Sequence, residues 1–243
     1  MYKPRLSGLL IWIFCCLWSV SSRAVSAAAP QTVHFKTSDD WNLEASYRPP
    51  GKNKPVVILI HGVASGKGEW DPLAGELARM GIGSLAIDLR GHGGSLQGPH
   101  GRTDYQGFDW TGEWLRMEQD IQAAISFLGR RKIPPSRIAL AGASIGANLA
   151  SRVFTARPAL AWAVLLSPGM DYRGVAPPSD FSGRKVLIAA SPSDAYAYQS
   201  SAFLVRQQPG IRFLEAQSGH GVQMFQDRAF FKNLTDWIRK ASH

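Results

Sequence analysis

Residues Ile138-Ala139-Leu140-Ala141 run straight into Gly142-Ala143-Ser144-Ile145-Gly146, and a small-residue stretch with helical patterning follows. A short apolar strand that ends in Gly-x-Ser-x-Gly and reopens as a helix predicts a very tight turn. Its central serine is then held in a strained backbone conformation with the hydroxyl lifted clear. Gly142 and Gly146 stand two residues either side of Ser144, where a larger side chain would collide with the neighbouring strand or helix.

Other apolar runs repeat the first half of this pattern. Positions 55–60, 82–87, 162–166, 185–190 and 211–215 read as strands, and the first is apolar without interruption, as in a strand buried on both faces. Positions 32–36 and 43–47 alternate instead, which predicts an antiparallel hairpin at a sheet edge. Strands alternating with helices predict one α/β domain: a mostly parallel sheet with helices on both faces. Trp114, Met117, Ile121, Ile125 and Leu128 step by three or four and predict one amphipathic helix. A last helix is expected over about 225–240, with Phe230 or Phe231, Leu234 and Trp237 inward. Only 18 residues separate positions 166 and 185, room for a loop and a turn rather than a helical lid. An open or shallow site is expected, with loop 98–111 (Tyr105, Phe108, Trp110) as a partial cover.

A serine hydroxyl is a poor nucleophile at neutral pH. It needs a histidine to take its proton and a carboxylate to hold that histidine. In open α/β sheets, sites gather beyond the carboxyl ends of the strands. Asp194 follows run 185–190 and His220 follows run 211–215, so both are expected beside Ser144. After Ser144 the chain holds only one other histidine, the terminal His243. Asp171 and Asp180 are alternative acids, and Glu215 is disfavoured because it falls within a strand.

The tetrahedral intermediate of acyl transfer needs two backbone N–H groups aimed at its oxyanion. Ile145 supplies one candidate and Val63, after His61-Gly62 at the end of run 55–60, the other. His61 is read as a brace for that loop rather than as a proton carrier. Gly62 to Gly68 fails as a phosphate loop, since three residues rather than four separate Gly62 from Gly66, and Gly68 stands where a hydroxyl is needed after Lys67. Asp88-Leu89-Arg90-Gly91-His92-Gly93-Gly94-Ser95 reads as a tight turn in which Asp88 and Arg90 fix neighbouring loops.

Taken in order, His61-Gly62, the segment 88–95, Gly142 to Gly146, Asp194 and His220 resemble a serine esterase of the α/β-hydrolase superfamily. The segment 166–172 is similar to dienelactone-hydrolase-like and carboxylesterase-like members, although the nucleophile is serine rather than cysteine. The resemblance implies a single-domain α/β-hydrolase fold over residues 30–243 and cleavage of a small-molecule ester or other acyl substrate. Thioesterase, peptidase or acyltransferase activity would use the same residues, and a non-catalytic binding protein on this fold is the alternative of another class. No metal or cofactor is implied.

Residues 1–27 read as a secretory leader, with Lys3 and Arg5 before an apolar core and small residues for cleavage near 27–29. A secreted or periplasmic protein is expected, an uncleaved membrane anchor being the alternative. Cys15 and Cys16 both lie in this segment, so the mature chain would hold no cysteine and no disulfide. The leader carries Lys3, Arg5 and Arg23 and no acid, so its removal takes the net charge from +9 to +6 over 216 residues. The basic residues are scattered and do not interleave with aromatics, which speaks against a nucleic-acid partner.

Overall fold

The computed structural model describes residues 29–243 apart from 109–111, 182 and 209. The leader, Trp110 and both cysteines therefore lie outside the described residues.

The strand runs become the parallel strands, all but the last of them buried throughout. These are β3 (Val56–Ile60), β4 (Gly83–Ile87), β7 (Ile138–Ala143), β8 (Ala163–Leu166), β9 (Val186–Ala190) and β10 (Arg212–Glu215). All of them pair in parallel, in the order β10-β9-β8-β7-β3-β4. The alternating runs become β1 (Gln31–Lys36) and β2 (Asn42–Arg48), an antiparallel hairpin registered Phe35 against Leu43. Strand β2 joins the sheet antiparallel to β4, and the two-residue strands β5 (Gln97–Gly98) and β6 (Gly101–Arg102) extend that edge.

A strand buried on both faces must feed two cores, because successive side chains point to opposite sides. In β3, Val56, Ile58 and Ile60 enter one core and Val57 and Leu59 the other. Helices α3 (Glu118–Arg130) and α4 (Ile145–Ala156) cover the first face with Ile121, Leu128, Leu149 and Phe154, joined by Leu204 of α5 (Ala195–Gln207). Helices α1 (Asp71–Arg79) and α6 (Arg228–Ala241) cover the second with Leu73, Leu77, Phe230, Leu234 and Ile238.

Two expected helices differ in their bounds. The 114–128 stripe is buried as expected, but it is divided between α2 (Glu113–Arg116) and α3 at Met117. There the hydrogen bonds contract to i,i−3: Met117 N–H to the Trp114 carbonyl and Asp120 N–H to that of Met117. The last helix begins at Arg228 rather than near 225. Asp227, extended at φ −74° and ψ 105°, caps it by accepting from the N–H groups of Ala229 and Phe230, and a 3₁₀ turn occupies 221–226.

The chain leaves β3 for β4, then returns to β7 on the other side of β3 and builds outward through β8, β9 and β10. That reversal opens a crevice beyond the carboxyl ends of β3 and β7, the place where such sheets bind ligands. Among the described residues no helix is long and apolar enough to cross a membrane. No helix interrupts the described residues between β8 and β9, so this stretch forms no helical lid.

Candidate active site

Ser144 joins β7 to α4 at φ 57° and ψ −126°, a conformation side-chain-bearing residues rarely adopt. Its N–H donates to the Leu166 carbonyl at 2.9 Å, and its carbonyl accepts from Ala147 and Asn148 inside the helix. A Cβ on Gly142 would lie 2.1 Å from the Gly146 oxygen, and one on Gly146 would lie 2.4 Å from that of Ile60. Both partners are backbone, so both positions require glycine. Ile145 is the first residue of α4, and its N–H has no acceptor within the helix.

His220 and Asp194 meet at the same end of the sheet. His220 Nδ1 lies 2.5 Å from Asp194 Oδ2, while Asp194 Oδ1 accepts the Ala197 N–H and caps α5. One carboxylate thus ties the histidine to a helix. Asp171 instead accepts the Gly174 N–H within its own turn, Asp180 is exposed between β8 and β9, and Glu215 at the end of β10 accepts from the Tyr198 hydroxyl of α5. The His220 loop is fastened by side chains unmarked in the sequence. Gly219 N–H donates to Ser193 Oγ, His220 N–H to Gln223 Oε1 and Gly221 N–H to Ser167 Oγ, at 2.9 to 3.1 Å. A Cβ on Gly221 would come within 3.1 Å of the Ala143 Cβ, which brings this loop against the serine turn.

Loop 61–63 closes the other side. A Cβ on Gly62 would stand 3.1 Å from the Ser144 Cβ. His61 is fully buried, with Nε2 accepting the Leu89 N–H at 3.0 Å and Nδ1 donating to the Gly62 carbonyl at 2.7 Å. An N–H aimed at Nε2 requires the proton on Nδ1. Burial, then the neighbouring His92, push its pKa down to about 4, so the ring is neutral at physiological pH. His61 is thus a brace between the ends of β3 and β4. Glu69, which the sequence did not single out, holds the loop from its far end, accepting from Gly62 N–H at 3.3 Å and from the Ser65 hydroxyl. Burial raises its carboxyl above the usual range, against the pull of Ser65, Gly62 and the nearby His220.

Asp88 and Arg90 fix loops. Asp88 accepts from Lys67 N–H, Lys67 Nζ and Gly94 N–H at 2.6 to 2.8 Å. Arg90, fully buried, binds Asp120 through Nε at 2.9 Å and Asp39 through both terminal nitrogens. Lys67 also binds Glu44 at 2.7 Å, so its ammonium is committed to two carboxylates. Tyr105 stacks on His92 at 4.3 Å, and Phe108 packs edge-on to Trp41 and Trp114. These rings of loop 98–111 are spent on packing in the flank beyond β4.

The segment after β8 contributes more than its composition suggests. Asn148, buried inside α4, donates to the carbonyls of Gly169 and Val175 and accepts the Gly169 N–H, at 2.7 to 3.1 Å. Those bonds tie 169–175 to the helix that follows the serine. Tyr172 donates to the Ser167 carbonyl at 3.2 Å and meets the His220 ring edge-on at 6.3 Å. A short loop carrying Ser167 at φ 51° offered no periodicity by which to foresee this. Among the described residues no group of three or more His, Cys, Asp or Glu is placed to hold a metal ion.

A sequence comparison shows the family, and structural comparisons show the fold. The profile of the serine aminopeptidase family, S33, matches residues 51–227, from the loop before β3 to the cap of α6. The chain belongs to this family. Its S33 core therefore spans the elbow, Asp194 and His220. Two curated relatives, the uncharacterised proteins Rv2307c and MT2364 of Mycobacterium tuberculosis strains H37Rv and CDC 1551, are each 32% identical over 152 residues. The match covers 61% of this chain and 49% of each relative, so the chain spans about half their length. Among solved structures, the esterase Pf2001 of Pyrococcus furiosus superposes with a TM-score of 0.67 at 17% identity over the whole of both chains. A 2,6-dihydroxy-pseudo-oxynicotine hydrolase gives 0.69 at 14% identity, covering 88% of this chain and 68% of its own. At such identities the likeness establishes the α/β-hydrolase fold.

Proposed function

We propose that this S33-family chain is a serine hydrolase that cleaves carboxylic esters of small molecules. The observation that carries the reading is the Asp194–His220 hydrogen bond, formed beside a serine held at positive φ. Ser144 Oγ attacks the ester carbonyl while His220 takes its proton. Asp194 orients the imidazole and stabilises the imidazolium. The N–H groups of Val63 and Ile145 receive the oxyanion, each worth about 3 kcal/mol of barrier. His220 returns the proton to the departing alcohol, and water then releases the acid through the same base. None of these steps uses a metal or cofactor.

The test is labelling of the purified mature chain with a fluorophosphonate. Stoichiometric labelling is expected in the wild type and none in Ser144→Ala, whose turnover falls by about 10⁶ with the fold intact. A folded wild type inert to the probe would sink the reading and favour a binding protein.

The family's description favours a second reading, release of an amino-terminal residue from a peptide. Aminoacyl arylamides assayed beside acetate and butyrate esters separate the two: faster turnover of the arylamides selects the peptidase.

We further propose that residues 1–27 are a leader removed on export to the periplasm or exterior, the positive start and apolar core being the support. Amino-terminal sequencing of exported protein tests this: a new start near 27–29 is expected, and an intact Met1 would indicate an anchor.

A further inference from the structure

Ester cleavage has two charge problems: backbone N–H groups meet the first, and of the residues above only His220 meets the second. The oxyanion is met by loop 61–63 and the start of α4. The other negative charge builds on the alcohol oxygen as the acyl–oxygen bond breaks, and that oxygen must lie beside His220 to receive its proton. Tyr172 stands on that side of the nucleophile. Its ring is edge-on to the His220 imidazole, and its hydroxyl donates to the carbonyl of Ser167, the residue after the one whose carbonyl accepts the Ser144 N–H.

The placement is built in. Asn148 anchors the loop at Gly169 and Val175, and Tyr172 and Val175 exchange backbone hydrogen bonds at 2.9 and 3.1 Å. A Cβ on Gly169 would fall 2.6 Å from the Tyr172 ring and 2.8 Å from that of Tyr196, so the glycine lets both rings close over the loop. Burial, then the nearby Asp194 and Tyr196, raise the phenol pKa above its ordinary value. The group therefore stays protonated, a donor, at neutral pH.

We propose that the Tyr172 hydroxyl is a catalytic donor to the leaving-group oxygen, and that the enzyme is thereby fitted to esters of unactivated alcohols. The inference rests on the ester-hydrolase reading above. In the resting site the phenol O–H is held by the Ser167 carbonyl. When substrate binds, it turns to the alkoxy oxygen. As the tetrahedral intermediate collapses, the electron pair of the breaking carbon–oxygen bond passes to that oxygen, which takes its proton from His220. Tyr172 keeps its own proton and shares it as a hydrogen bond, so the step balances with no further reactant. Met170 and Tyr196, 41% and 49% exposed, lie on the same loop and at the start of α5, and give the alcohol an apolar surface to rest on.

The test is Tyr172→Phe, which keeps the ring and removes the donor. It is assayed on butyrates of p-nitrophenol, phenol, trifluoroethanol and ethanol. On the ethyl ester kcat/KM is expected to fall about 100-fold, the low end of the range set by single positioned donors. On the p-nitrophenyl ester, whose anion leaves unaided, the change is within about twofold. Fluorophosphonate labelling, which expels fluoride, is likewise expected to stay within about twofold of wild type. An equal loss on all four esters would overturn the proposal in favour of a role in positioning His220. Faster labelling in the variant would overturn it in favour of a tyrosine that merely caps the nucleophile. A wild type inert to both probe and esters would instead defeat the ester-hydrolase reading itself.

Discussion

Single residues carry this site through what their neighbours forbid. A methyl group on Gly146 would lie 2.4 and 2.5 Å from the carbonyl oxygens of Ile60 and His61, which the sheet fixes. Gly146→Ala is therefore expected to cost about 3 kcal/mol, the upper range for overpacking a rigid core, read as a lower urea midpoint. His61 shows the same dependence through its protonation. With its folded pKa near 4 against an ordinary 6.5, the unfolded chain binds the proton first as pH drops. Its contribution is thus complete above pH 6.5 and lost as pH falls toward 4. The loss reaches about 2 kcal/mol by pH 5. Urea unfolding at pH 7.5 and pH 5 measures it, and in His61→Gln the difference between the two pH values shrinks by about that amount.

At the scale of elements, the site is a set of loops fastened to one another rather than to the sheet alone. Asn148 on α4 holds the loop after β8, Ser167 at the end of β8 holds the His220 loop, and Ser193 after β9 holds it from the other side. Asn148→Ala would leave the Gly169 N–H and two carbonyls without their partner in a buried place. The expected cost is about 3 kcal/mol, several times a single exposed hydrogen bond. Calorimetry of the variant checks it, and a loss under about 0.5 kcal/mol would mean that water replaces the amide. The helix bounds teach a related lesson. Periodicity located the inward stripe of α2 and α3, but only the grip of Arg90 on Asp120 and the cap at Asp227 decided where turns tighten and helices start.

Over the whole molecule, the sheet order places the 61–63 loop, Ser144 and His220 at one crevice, and no helix roofs the described stretch between β8 and β9. Butyrate esters are therefore expected to turn over faster than long-chain emulsions, and a preference for the emulsions in a chain-length series would contradict an open site. The sequence by itself determined the parallel core, the hairpin, the elbow and its two glycines. Strands buried on both faces must be apolar throughout, and a turn this tight admits no Cβ at those positions. It narrowed the acid to positions after strands, but Asp194, Asp171 and Asp180 all satisfied that rule. Only the tertiary structure decided that Asp194 carries the His220 hydrogen bond, that Glu69 holds the Gly62 loop and that Tyr172 lies against His220. The reason is physical: periodicity and turn chemistry act between residues close in the chain, whereas these contacts join loops that meet only once the strand order has been settled.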